Sequence, residues 1–122
     1  MNIQMQVIDH KDQRYETLGD WFWDGFILKI NSSDLGQWEY EFLIIFHELI
    51  EAILCAKHGI SQEQVDRFDF AHLELDELGE SPEAPYHKEH MIADAFERMM
   101  AIHLNVDWIE YEKKCNEVFG KS

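Results

Sequence analysis

The segment FLIIFHELIEAILCAKH, Phe42 to His58, is apolar around most of a helical circumference and still carries His47, Glu48 and Glu51. Leu43, Ile45, Phe46, Leu49, Ile50, Ile53 and Leu54 leave it no broad solvent face, so the spacing predicts the central helix of the fold. A central helix excludes unpaired charge, because a buried carboxylate without a partner is costly. His47 and Glu51 are separated by one helical turn, which puts their side chains on one face about 5–6 Å apart at Cβ. His58 continues the stripe and Cys55 lies near its edge. Polar groups arranged this way need a common partner.

The rest of the chain must supply what packs on that helix. Its 122 residues, of which 46 % are hydrophobic, suit a single domain over 1–122 with one core. Residues Asn2 to Val7 alternate, with Ile3, Met5 and Val7 on one side. Phe26 to Ile30 alternates too, with Phe26, Leu28 and Ile30 inward. The turn formers Gly19-Asp20 and Asp24-Gly25 fall between, and the two strands are expected to pair antiparallel. Helical signals follow. Asp34/Gln37, Ser61/Gln64 and Asp107/Glu110 have capping-box spacing, and Gly59 stops the central helix. Leu78 to Pro85 reads as a loop, and Pro85 opens a helix to about Leu104. The expected fold is α+β: a small N-terminal antiparallel sheet followed by three or four helices.

A divalent cation is the economical partner for the stripe. Imidazole and carboxylate one turn apart can converge on one zinc ion, but a site needs a third ligand. In the later helix, PYHKEHMIADAFERMMA, the residues His90, Asp94 and Glu97 share a face beside an apolar strip of Ala93, Phe96, Met100 and Leu104. Packing that strip on the central helix brings His90 toward His47 and Glu51. The set becomes two histidines and a glutamate with a position left for water. Asp94 and Glu97 are read as groups orienting the ligands or pairing with Arg98. Glu48, next to His47, is placed to take a proton from an attacking water.

His47-Glu48-Leu49-Ile50-Glu51 resembles the His-Glu-x-x-His helix of zincin-like metalloproteases, and especially the compact zincin-like domains of phage and bacterial proteins. The resemblance implies His47 as a metal ligand, Glu48 as the catalytic base and His90 as a downstream third ligand. It also implies a sheet before the motif helix and a hydrolase activity. Glu51 stands where that family has its second histidine. Its added negative charge weakens the Lewis acidity of zinc and admits manganese, iron or magnesium. His47 to Ala52, Val65 to Asp69 and Ala84 to His90 are also similar to segments of a small phage and bacterial family without an assigned activity.

Charge and composition bound the alternatives. Ten Lys and Arg stand against 25 Asp and Glu, a formal net charge of −15. That balance excludes ordinary nucleic-acid binding and docking on anionic lipid. Two cysteines outside any Cys-x-x-Cys pair, and no signal-like N-terminus, give the expectation of a cytoplasmic protein. Two other readings remain. One is an all-helical, magnesium-dependent nucleoside-triphosphate pyrophosphohydrolase using Glu48/Glu51 and Asp94/Glu97. The other is a non-enzymatic acidic adaptor, or nucleic-acid mimic, for a basic protein. The acidic run Glu74 to Glu80, and Asp66 with Asp69, read as solvated segments, and Trp21-Phe22-Trp23 as a core-closing cluster.

Overall fold

The two-residue turn Gly25-Phe26 organises the sheet. Gly25 has φ +61° and Phe26 does not share the positive φ, the pattern of a type II′ hairpin turn. It joins β2 (Gly19–Asp24) to β3 (Ile27–Ser33) as an antiparallel pair, Asp24 opposite Ile27. β1 (Asn2–Ile8) lies on the other side of β3 and runs parallel to it, Asn2 opposite Ile27, giving the order β1-β3-β2. The computed structural model describes residues 1–75 and 77–120.

The antiparallel pairing expected of the two outer segments is therefore corrected. The aromatic run Trp21-Phe22-Trp23 is itself a strand and takes the hairpin position beside β3, so β1 docks on the free edge in the opposite sense. Phe26 is also not inward. It sits at the tip of the hairpin and is 94 % exposed, while Leu28 and Ile30 are fully buried.

Four helices follow: α1 (Trp38–Lys57), α2 (Gln62–Ala71), α3 (His87–His103) and α4 (Trp108–Val118). The fold is α+β, a small sheet followed by helices, and the sheet rules out the all-helical architecture of the pyrophosphohydrolase reading. Caps explain the helix starts. Ser61 and Gln64 form a reciprocal capping box, and Asp107 accepts from the backbone of Ile109 and Glu110. Asp34 and Gln37 form no box. Gln37 caps α1 without a side-chain bond, and the Glu41 carboxylate accepts from the backbone of Leu35 and Gly36 at 2.8 and 3.2 Å. Gly59, at φ +74°, ends α1 as expected.

α1 packs on β2 and β3 through one side and on α3 through another. Trp21, Leu28, Ile30, Ala52, Cys55 and Val65 form one core; Leu35, Tyr40, Leu43, Ala101 and Tyr111 form a second, toward the start of α1. His47 meets Glu97 and Glu51 meets His90, so α1 and α3 run antiparallel. The central helix is less enclosed than its composition suggests, since Trp38 and Phe42 are exposed and Phe96 of α3 stays 44 % exposed against Phe46.

Truncation tests this register. Leu28→Ala should cost about 2–5 kcal/mol in urea unfolding, whereas Phe26→Ala should stay within about 0.5 kcal/mol of the parent. Comparable losses at both positions would contradict the hairpin described here.

Candidate metal centre

The packing of α3 on α1 brings together the three residues that the sequence singled out. His47 Nε2 lies 3.2 Å from His90 Nδ1. His90 Nδ1 lies 3.0 Å from Glu51 Oε2, and Glu51 Oε2 lies 3.4 Å from His47 Nε2. All three residues are buried. His47 and Glu51 meet because they are one turn apart on α1; His90 joins them from the first turn of α3.

Each member is oriented by a further contact. His47 Nδ1 donates to Glu97 Oε1 at 2.8 Å, leaving Nε2 to face the triangle. The other oxygen of Glu97 accepts from the Tyr111 hydroxyl at 2.7 Å. Glu51 Oε1 accepts from the Trp21 indole at 3.0 Å, which leaves Oε2 for the triangle. Carboxylate and indole partners of this kind hold metal-ligating groups in one rotamer. His90 is seated against the backbone of Gly79, where an added Cβ would fall on the imidazole ring. Gly19 does the same for Glu48: a Cβ there would lie 2.8 Å from Glu48 Cγ.

The site opens into a cavity of about 450 Å³ between the hairpin, the Leu78–Glu80 turn, α1, α3 and α4. Glu48 lines it, with Oε2 4.0 Å from His47 Nε2. Asp20, Asp69 and Glu77 line it as well. Burial and the neighbouring Glu51 push the Glu48 carboxyl well above its usual range. Burial would do the same to Glu51, but hydrogen bonds from His47 and His90 outweigh it and hold that carboxyl at about 2. Desolvation pulls the His47 imidazole down, and the bonds to Glu51 and Glu97 more than reverse this, raising it well above its ordinary value.

Three groups of described side chains could hold a metal ion: His47/Glu51/His90, His47/Asp94/Glu97 and Glu77/Glu80/His90. His47 belongs to the first and second of these, and His90 to the first and third. Asp94 also pairs with Arg98 at 3.3 Å, as the spacing suggested. His58 stands apart, capping α1 and donating to the buried Glu89 at 2.6 Å. Cys55 and Cys115 are free thiols outside these groups.

Several participants escaped the sequence reading. Gly19 reads as a turn former but belongs to β2; Gly79 reads as loop punctuation but is the seat of His90. Tyr111 had no signal beyond helix packing. Asp69 is not the solvated residue expected. It is 3 % exposed and accepts from the Tyr15 and Tyr86 hydroxyls at 2.7 and 2.6 Å. Its neighbour Asp66 pairs with Arg14, which also holds the buried Asp20. In the run Glu74 to Glu80 the described glutamates Glu74, Glu77 and Glu80 are exposed, as expected of a solvated segment, while Gly79 among them is buried; Asp76 lies outside the described residues.

The chain matches no protein-family model, no curated protein and no solved structure. The site therefore has to be read on its own geometry. Among the described residues, no helix is long and apolar enough to cross a membrane.

Asp69 provides a pH test of this buried network. Burial, only partly offset by the two tyrosine hydroxyls, raises its carboxyl to about 6. A carboxyl raised on folding stabilises the folded state below its unfolded pKa, and that contribution is lost as pH rises through the folded pKa. Stability should thus fall between about pH 4 and pH 7, by about 3 kcal/mol from this group. Urea unfolding at pH 4.5 and 7.5 should show Asp69→Asn losing that part of the slope. An unchanged slope would show that the Asp69 carboxyl titrates normally.

Proposed function

We propose that this protein binds a divalent, zinc-type cation through His47 Nε2, Glu51 Oε2 and His90 Nδ1, and that it is a metal-dependent hydrolase of zincin-like type. One observation carries the metal assignment. Ligands about 2.0–2.1 Å from a tetrahedral zinc ion are separated by about 3.3–3.4 Å. The three candidate atoms stand 3.0, 3.2 and 3.4 Å apart before any ion is considered. A buried carboxylate between two imidazoles, with Glu97 steering His47 and the Trp21 indole steering Glu51, is the donor set such an ion takes. Two nitrogens and one oxygen suit zinc best, with manganese and iron next and magnesium least.

A cation held there lowers the pKa of a bound water toward 7 and polarises a carbonyl or phosphoryl oxygen. The chain contributes the rest. Glu48 faces the same cavity without a hydrogen-bonded cationic partner among the described residues, and burial and the neighbouring Glu51 raise its carboxyl, which favours its taking up a proton. Trp21 and Gly19 line that side of the cavity, and Tyr111 with Glu97 fixes the His47 tautomer.

The adaptor reading asks for carboxylates arrayed outward. Asp20, Glu51, Asp69, Glu89 and Glu97 are instead buried, and four of these line or adjoin the cavity. That burial favours the metal reading for this part of the acidic composition.

Elemental analysis of protein purified without a metal-binding tag should find one equivalent of zinc-type metal. His47→Ala and Glu51→Ala should abolish it, while Glu48→Gln should retain the metal and lose any metal-dependent hydrolysis. Zinc at a hundredfold excess over its Kd should stabilise the parent by about 2.7 kcal/mol. Metal-free protein whose melting temperature ignores added zinc would end this proposal. Gly79→Ala, which displaces the His90 ring, should weaken zinc binding about 10–100-fold in a chelator competition.

A further inference from the structure

His90 has one ring nitrogen more than the buried triangle uses. Its contacts with His47 and Glu51 are both made through Nδ1. Nε2 has no hydrogen-bond partner among the described residues, although His90 is only 9 % exposed. Glu77 and Glu80 bring carboxylate oxygens within 4.8 Å of a ring nitrogen of His90 and of each other. Both glutamates are exposed, at the cavity rim, while the triangle is buried.

The two glutamates belong to a built turn. Glu80 N donates to Glu77 O, and Ser81 N donates to Leu78 O, both at 3.2 Å. The Gly79 carbonyl accepts from His87 Nδ1 at 2.8 Å, pinning the turn to the start of α3. Gly79 itself touches the His90 ring. The outer carboxylates and the inner triangle are thus two positions that share one imidazole.

We propose that Glu77, Glu80 and His90 form an outer divalent-cation position through which the ion reaches and leaves the buried triangle. This rests on the reading of His47, Glu51 and His90 as the metal site. A hydrated ion would first exchange water for the Glu77 and Glu80 carboxylates and His90 Nε2. Those three bonds would then break as bonds to His47 Nε2, Glu51 Oε2 and His90 Nδ1 form, the His90 ring proton moving through water from Nδ1 to Nε2 and any proton on His47 Nε2 passing to water. The metal keeps its oxidation state throughout. Removing the carboxylate stage raises the barrier in both directions and leaves the end states alone, so rates should change and affinity should not.

Stopped-flow zinc uptake by the metal-free full chain, and its release to excess chelator, test this. In Glu77→Gln/Glu80→Gln both rates should fall about tenfold, with the zinc Kd within twofold of the parent and one zinc bound. A distant pair, Glu39→Gln/Glu63→Gln, removes equal charge and should leave both rates within twofold. Unchanged rates in the first variant, equal slowing in the second, or a Kd weakened tenfold by the first would each overturn the proposal. So would two tightly held zinc ions in the parent. If the parent binds no zinc at all, the assignment of the buried site fails instead, and the two failures are distinguishable.

Discussion

The Glu51 carboxylate is the point on which the structure turns. It is buried in the face of α1 that meets α3, where an ionised group without partners would be intolerable. One oxygen meets His47 and His90; the other accepts a hydrogen bond from the Trp21 indole N–H. These contacts join α1 to α3 and α1 to the hairpin at a single group. Two helices and a strand are thereby fixed at the distances a small cation would need.

From that point the constraint spreads outward. His47 is held by Glu97, Glu97 by Tyr111, and Tyr111 by packing with Tyr40 and Trp108. α4 is thus coupled to the centre through two hydrogen bonds although it supplies no candidate ligand. On the opposite side two glycines give the site its room. Gly79 lets backbone lie against His90, and Gly19 lets β2 lie against Glu48. Neither is needed for a positive φ. Each is needed because a methyl group would occupy space already filled, by the His90 ring at Gly79 and by Ile44 and Glu48 at Gly19.

The parts legible in the sequence were those with a period. The 3.6-residue spacing on FLIIFHELIEAILCAKH placed α1, exposed the mismatch of charge within it, and set His47 and Glu51 on one face. The Ser61/Gln64 box and Gly59 marked ends because capping is decided within a few residues. The sheet was misread because two short alternating segments do not say which neighbour each will take, and the aromatic strand between them looked like core filler. Asp69 was misread for a related reason: its partners, Tyr15 and Tyr86, come from segments distant in the chain.

The sequence by itself determined that a helix rich in Leu and Ile carries a histidine and a glutamate one turn apart, a matter of local geometry that any helix enforces. It also determined the acidity of the chain. Only the tertiary structure decided that His90 closes the triangle, that Glu97 and Trp21 orient it, and that the Leu78–Glu80 turn lies over it. Those are contacts between elements far apart in the chain, set by how helices and sheet share one core rather than by any spacing along the chain.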